Sequence, residues 1–206
     1  MRLMDKEALK EKAKYDLIWR DCNGYRDCSP GEMFARFFFE GFEEKIKAGQ
    51  SIIDFGCGTA RVAKSFLMKG LKTTLVDISV YSLDEEMRGA LSLFSEQLRF
   101  VEGCLWSLPE DLEAAEWIYC CDVMEHIPTH LVDQVLEQVA SRMKLGGYFS
   151  ICLQEDLVGK KVGFPLHLTV KDQPWWEEKL SHHFTILGED SVSDGLYFNC
   201  CVGKHP

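Results

Sequence analysis

The chain has 206 residues, of which 46% are hydrophobic and 27% are charged, and its formal net charge is −10. This length suits one α/β domain rather than two, and the composition is that of an ordinary folded globule. The negative charge disfavours sequence-independent binding of DNA or RNA, because such binding depends on cationic side chains that replace phosphate counterions. No apolar run is long enough to cross a bilayer.

The amino-terminal segment and the cysteines indicate the compartment. Residues 1–20 mix both charge signs at helical spacing and lack the apolar centre of a secretory signal, which predicts a surface helix. The nine cysteines include no Cys-x-x-Cys pair, and several lie in apolar, strand-like stretches. This usage is typical of a reducing compartment and predicts a cytoplasmic protein.

A second helix is predicted to begin at Ser29, because Ser29-Pro30-Gly31-Glu32 has the order of a capping box with serine as the N-cap. It is expected to end near residues 47–49, where glycine can adopt the left-handed conformation. Its apolar side chains are expected to face the core: Met33, Phe34, Phe37, Phe38 and Phe42.

Beyond residue 49, short apolar stretches alternate with stretches of helical spacing. Strands are predicted at 51–55, 71–76, 99–102, 117–121, 148–153, 184–187 and 197–202, and helices at 59–69 and 130–144. This alternation predicts a mainly parallel sheet with helices on both faces, an α/β fold of Rossmann-like type. The short polar stretch between the last two strands permits only antiparallel pairing.

The turn after the first strand carries a glycine motif that two cofactor classes could use. Gly56 and Gly58 follow Asp54, and Asp77 ends the second strand. A dinucleotide site wants a third glycine where Arg61 stands, and Asp54 would repel a pyrophosphate. S-adenosylmethionine has no phosphate and carries an ammonium and a sulfonium that a carboxylate attracts. Asp77 can bind ribose hydroxyls in either case.

The stretch SIIDFGCGTARVAKSFLMKGLKTTLVDIS, followed by FVEGCLWSLP, DVMEHIP and MKLGGYFSI, resembles class I S-adenosylmethionine-dependent methyltransferases over residues 51–153. The resemblance implies S-adenosylmethionine as the cofactor and a seven-stranded sheet in the order 3-2-1-4-5-7-6 with an antiparallel last strand. It also implies that Asp54, Gly56 and Gly58 surround the methionine moiety and that Asp77 binds the ribose.

Two positions depart from the family pattern. Ala60 replaces the third small residue of the glycine loop, and Cys104 stands where the family often has an aspartate that binds the adenine amino group. A thiol is a weak acceptor, so adenine binding is expected to involve Cys104 together with the Leu105 amide. Trp106 either contacts the adenine or packs in the core.

The domain organisation follows from the resemblance. A single methyltransferase domain is expected, with a helical cap at 1–48 and a Rossmann-like core at 49–206 that includes a lid-like segment near 157–180. The segments SPGEMF and FPLHLTVKDQPWWEEKL are similar to small stand-alone methyltransferases of bacteria and bacteriophages. That likeness indicates no acceptor, and the sequence indicates no oligomeric state.

The lid-like segment has two glycines that permit movement, Gly159 and Gly163, and brings His167 ahead of a helix with Trp175 and Trp176. Adjacent helical residues point about 100° apart, so at most one tryptophan is expected to face fully inward.

The segment after the fourth strand predicts the acceptor chemistry. Nothing matches the [DNS]-P-P-[YFW] loop or the Pro-Cys dipeptide of base methyltransferases, which disfavours nucleic acid as the acceptor. If Asp122 starts a helical turn, Glu125 and His126 share its face, and His126 could deprotonate a hydroxyl. O-methylation of a small molecule, sugar or cell-envelope precursor is therefore predicted. Alternatively, Glu125 and His126 brace the turn before Pro128.

Three further possibilities stay open. The chain could be a cofactor-binding subunit that needs a partner chain for activity, or a polyamine-forming transferase on the same fold. A divalent metal could also bind Asp122, Glu125, His126 and His167. That set looks like the E-x-x-E-H segment and distant histidine of metal-dependent RNA 2′-O-methyltransferases, and like the acidic-histidine segment of ubiquinone-pathway O-methyltransferases.

Overall fold

The computed structural model describes residues 4–27, 29–156, 158–190 and 195–205, without the side chains of Asn23, Lys160, Lys161 and Asp190. In chain order the elements are α1 (Lys6–Asp21), α2 (Asn23–Arg26), α3 (Gly31–Phe42), β1 (Ser51–Phe55), α4 (Ala63–Met68), β2 (Lys72–Asp77), α5 (Glu85–Leu93), β3 (Leu98–Glu102), β4 (Ala115–Cys121), α6 (Val132–Ser141), β5 (Met143–Cys152), α7 (Gly159–Val162), α8 (Gln173–Ser181), β6 (Phe184–Asp190) and β7 (Tyr197–Lys204). Short 3₁₀ turns lie at Met124–His126 and Thr129–Leu131.

The sheet has seven strands in the order β3-β2-β1-β4-β5-β7-β6. Strands β1 to β5 are parallel to one another, and β7 is antiparallel to both β5 and β6. This confirms the predicted fold class and strand order. Because the parallel strands all end at one edge, the segments that follow β1, β2, β3 and β4 meet there, where open α/β sheets bind ligands.

Helices cover both faces of the sheet. On one face, Phe34, Phe38 and Phe42 of α3 are buried against aromatic side chains of α4, β4 and β5, among them Phe66, Trp117, Tyr119 and Tyr148. On the other face, α6 and α8 bury Val132, Val135, Leu136, Val139, Trp176 and Leu180 against the sheet. No helix in the described ranges is long and apolar enough to span a membrane.

Helix α3 differs from its prediction at both ends. Pro30 is its N-cap residue and no side chain caps it, so Ser29 is not the cap; the Ser29 hydroxyl accepts a hydrogen bond from Thr59 at 3.1 Å. The helix ends at Phe42 rather than near residue 48, because the chain turns there to reach β1. Met33 is 61% exposed, so its predicted core position is wrong.

Two other elements begin at residues that differ from the predicted ones. Helix α4 begins at Ala63 rather than Thr59, because the glycine turn continues through Ala60, which has a φ of +59°. Strand β5 begins at Met143, inside the stretch predicted to be helical, and includes Gly146 and Gly147. A glycine pair is unusual within a strand and marks a close backbone approach.

We expect Gly147→Ala to lower the free energy of unfolding by about 1–3 kcal/mol or more, because the core there is already filled. A Cβ at Gly147 would collide with the Ile118 side chain and lie 2.7 Å from the Ile118 carbonyl oxygen. Gly188→Ala in β6 is the matched control, since a Cβ there meets no atom within 4 Å. Urea denaturation of both variants measures the difference, and equal stabilities would contradict the prediction.

Candidate active site

The turn after β1 requires glycine because another strand end lies against it. Gly56 has a φ of +69°, and a Cβ there would clash with the side chain of Val123, which follows β4. The amides of Gly56 and Cys57 both donate to the Val76 carbonyl of β2, at 2.8 and 3.0 Å. The glycine turn is thereby fixed between the ends of β2 and β4.

Asp77 connects the ends of β1 and β2. One carboxylate oxygen accepts a hydrogen bond from the Gly58 amide at 2.9 Å, and the other accepts one from the Ser79 amide at 2.9 Å. Burial raises the pKa of Asp77 to about 6, although these amide hydrogen bonds act in the opposite direction. The carboxylate also faces a cavity at the edge of the sheet.

Asp54 is a buried carboxyl group that lacks a partner. It is 3% exposed, it lines the same cavity, and its Oδ2 has no hydrogen-bond partner among the described residues. Burial, with a smaller contribution from the charge of Asp77, raises its pKa to about 8. A cationic group placed in the cavity would favour the ionised form of Asp54.

The cavity opens to solvent and joins the glycine turn to the segment after β4. Of the predicted site residues, those that line it are Asp54, Gly56, Gly58, Asp77, Leu105, Asp122 and His126. Cys104 and Glu125 are not in the cavity wall. Cys104 is 1% exposed, and Gly103 and Trp106 line the wall on either side of Leu105. Trp106 therefore both packs in the core and faces the cavity.

The carboxylates after β4 occupy different environments. Asp122 has a φ of +59°, so it does not start the turn; the 3₁₀ turn begins two residues later. Glu125 is fully buried, and its Oε1 accepts a hydrogen bond from the Cys152 amide at 2.8 Å. Its carbonyl accepts from the amides of Leu168 and Thr169. Burial and the charge of Asp122 raise the pKa of Glu125, which lies behind the cavity wall.

His126 faces the cavity with a defined tautomer. Its Nδ1 lies 3.0 Å from the Leu166 carbonyl and 2.9 Å from the Tyr15 hydroxyl. A carbonyl oxygen can only accept, so Nδ1 carries the proton and Nε2 keeps a lone pair. Burial, together with the nearby His167 and Lys14, lowers the pKa of His126 to about 3. The ring is therefore neutral at pH 7.

The predicted metal ligands come together in two overlapping groups. One ligand atom from each of Glu125, His126 and His167 lies within 4.8 Å of the others, and the same holds for Asp122, Glu125 and Cys152. The rings of His126 and His167 are 4.7 Å apart and nearly perpendicular. His167 Nδ1 lies 2.6 Å from the Gln154 carbonyl, which leaves its Nε2 as the acceptor nitrogen.

A comparison with family models gives a methyltransferase domain at residues 52–147. This range begins in β1, contains the glycine turn, Asp77 and the segment after β4, and ends in β5. Residues 52–147 form a methyltransferase domain. The prediction of an S-adenosylmethionine-dependent methyltransferase is thereby confirmed, while the assignment of individual site residues stays a prediction.

Solved structures share the methyltransferase fold over the whole chain. The 1,6-didemethyltoxoflavin N1-methyltransferase of Burkholderia thailandensis, with bound 1,6-didemethyltoxoflavin and S-adenosylhomocysteine, has a TM-score of 0.75 at 18% identity, covering 100% of this chain and 93% of that one. The magnesium protoporphyrin IX methyltransferase of Synechocystis, with bound S-adenosylmethionine, has a TM-score of 0.71 at 14% identity, covering both chains fully. A chain of the complex that contains the Haloferax volcanii methyltransferase activator Trm112 has a TM-score of 0.66 at 13% identity, also covering both chains fully.

The contribution of the amino-terminal helix to the methyltransferase cavity was not predicted. Glu11, Tyr15 and Trp19 of α1 line the cavity, and so does Tyr25 of α2. The three α1 residues are four apart and therefore share one helical face. That spacing was available in the sequence, but a glutamate between two lysine-rich turns gave no reason to orient this face inward.

The two tryptophans of α8 have the arrangement that helical geometry predicts. Trp176 is fully buried in the core, while Trp175 is half-buried with Lys171 and Lys179 beside its ring. Residue 157, where the lid-like segment begins, lies outside the described residues. In the described part of this segment, Leu166 and His167 contact His126. Movement of the segment as a lid stays a prediction.

We expect Asp54→Asn to stabilise the unliganded methyltransferase increasingly as the pH rises from 5 to 8. The pKa of Asp54 is raised from 3.8 to about 8 in the folded protein, so its contribution to stability is complete below the unfolded value and is lost as the pH approaches 8. Asparagine does not ionise and avoids this loss. Thermal melts at several pH values measure the difference in Tm, with the exposed Glu44→Gln as the control. A difference that does not change with pH would contradict the prediction.

Proposed function

We propose that this methyltransferase transfers the methyl group of S-adenosylmethionine to a hydroxyl oxygen of a small-molecule acceptor. The observation that supports the cofactor most directly is the buried, unpartnered Oδ2 of Asp54 in the cavity wall. An ammonium or sulfonium group would supply the missing partner. A buried carboxylate without a partner raises the free energy of the folded protein, so this position favours a bound cation.

The remaining cofactor contacts follow from the same wall. Gly56 and Gly58 leave room beside Asp54 for the methionine moiety, and Asp77 faces the cavity with lone pairs available for ribose hydroxyls. Leu105 and its neighbours form an apolar surface for adenine, and Cys104 contributes only from behind it. When bound, the cofactor supplies an electrophilic methyl group on a positively charged sulfur.

A dinucleotide fits this cavity poorly. Its pyrophosphate would lie close to Asp54, and Arg61, which stands in place of the third glycine, is already bound to Asp84 with an N–O distance of 2.5 Å. The guanidinium is therefore partly neutralised and offers little attraction for a phosphate.

We expect Asp77→Ala to weaken binding of S-adenosylhomocysteine by on the order of 2–4 kcal/mol, the value of two hydrogen bonds to a charged group. Isothermal titration calorimetry measures the loss, and NAD should give no heat with either protein. Glu96→Ala is the matched control, because Glu96 is an exposed carboxylate just ahead of strand β3 and lies outside the cavity wall. Unchanged affinity in Asp77→Ala would mean that the ribose is bound elsewhere.

His126 is the proposed base. When bound, S-adenosylmethionine would supply the methyl group to the acceptor oxygen and keep the electron pair of the broken carbon–sulfur bond, and His126 would take the hydroxyl proton on the free lone pair of Nε2. Asp122 lies at the same end of the cavity and can orient the acceptor. Glu125 accepts hydrogen bonds from the amides of Cys152, Leu168 and Thr169, and it thereby positions the turn that carries His126.

The decisive experiment is turnover with methyl-labelled S-adenosylmethionine against separated metabolite, lipid, nucleic-acid and protein fractions of the host. We expect label in a small molecule or cell-envelope precursor through an oxygen–methyl bond. His126→Gln should lower that turnover by about 10²-fold or more, as loss of a general base does. Label in nucleic acid, or full activity of His126→Gln, would overturn the proposed acceptor chemistry.

A second candidate is a methyltransferase subunit that acts only with a partner chain. The similarity to a chain in the Trm112 complex favours testing it. Gel filtration combined with the labelled-cofactor assay separates the two candidates. A monomer that forms S-adenosylhomocysteine from a simple acceptor excludes the need for a partner. The predicted cytoplasmic location is unaffected by either outcome.

A divalent metal is the alternative to a free base, because two histidine nitrogens and a carboxylate oxygen lie close enough to bind one ion. Such an ion would lower the pKa of an acceptor hydroxyl, with Glu125, His126 and His167 as ligands. If the base acts without metal, activity should survive exhaustive chelation and depend on His126 but not on His167. Activity restored by Mg²⁺ or Mn²⁺, and abolished by substitution of either histidine, would show the metal instead.

A further inference from the structure

We propose that Tyr15 of α1 is a positioning residue for His126, so that the active site is complete only when α1 is docked on the edge of the sheet. The inference rests on the proposed role of His126 as the base. The two residues are 111 positions apart in the sequence, yet the Tyr15 hydroxyl lies 2.9 Å from His126 Nδ1. Their rings meet edge to face, with centroids 6.0 Å apart and planes at 83°.

The shared proton on Nδ1 defines what Tyr15 does. Because Leu166 can only accept, the Nδ1–H group is shared between the Leu166 carbonyl and the Tyr15 oxygen. Both acceptors hold the ring from the same side, which directs Nε2 away from them. The hydroxyl proton of Tyr15 is then free to turn toward the cavity that the side chain lines.

The same contact becomes stronger during the reaction. Once Nε2 has taken the acceptor's proton, the ring is cationic and its Nδ1–H donates charge-assisted hydrogen bonds. The Tyr15 oxygen therefore stabilises the protonated ring more than the neutral one.

Three hydrogen bonds connect α1 and its N-cap to the segments that follow three different strands. Asp16 accepts from the Ser79 hydroxyl at 2.6 Å after β2, and the N-cap Asp5 accepts from the Trp106 indole at 3.3 Å after β3. Tyr15 makes the third contact, to His126 after β4. The helix can hold His126 only while the other two contacts seat it beside the cofactor residues. The orientation of the His126 ring therefore depends on the docking of α1.

The first test reads the histidine ring directly and needs no acceptor. In ¹⁵N-histidine-labelled protein loaded with S-adenosylhomocysteine, Tyr15→Phe should change the Nδ1 and Nε2 resonances of His126, which His126→Gln identifies by their loss. Tyr81→Phe is the matched control, because it removes a hydroxyl from a side chain that lies outside the cavity, next to Arg20 of α1. Unchanged His126 resonances in Tyr15→Phe would overturn this inference alone.

The second test is a double-mutant cycle in the labelled-cofactor assay, using the host fraction that accepts the methyl group. Tyr15→Phe should lower kcat about tenfold, the loss typical of one hydrogen bond to a charged group, with little change in KM for S-adenosylmethionine. In the His126→Gln background it should have no further effect, since its action passes through that ring. Additive losses would overturn the positioning role, whereas full activity of His126→Gln would overturn the proposed function and this inference together.

Discussion

The two hydrogen bonds that Asp77 accepts from backbone amides organise the entire site. They fix the glycine turn after β1 through Gly58 and the turn after β2 through Ser79. Ser79 in turn donates to Asp16 and so seats α1. One carboxylate at a strand end therefore determines the position of the cofactor loop and, through the helix, of Tyr15 beside His126.

The site concentrates acidic groups in a place where water is scarce. Asp54, Asp77 and Glu125 all have raised pKa values because burial penalises their charge. Asp77 and Glu125 both accept hydrogen bonds from backbone amides, which offset part of this penalty. The Oδ2 atom of Asp54 has no such partner among the described residues. A site that is unfavourable when empty discriminates strongly among ligands, because only a ligand with matching charge relieves the cost.

The sequence predicted those elements and site positions that depend on residues close together in the chain. All seven strands followed from apolar periodicity and the positions of Asp54 and Asp77 from the glycine motif, whereas the strand order followed from the resemblance to class I methyltransferases. The errors have tertiary causes. Strand β5 begins earlier than predicted because Met143 pairs with Ala115 of β4, a contact between different strands. The inward face of α1 depends on partners about 60 to 110 residues away, which no local pattern can reveal.

The antiparallel direction of β7 has a practical consequence. Because it runs against β5, β7 ends at the edge of the sheet where the parallel strands begin, on the opposite side from the cavity. The start of α1 lies at the cavity itself, with Asp5 bonded to Trp106. An affinity tag or fluorescent reporter attached after β7 would thus leave the cavity edge of the sheet accessible. The same fusion ahead of α1 would lie close to the cavity.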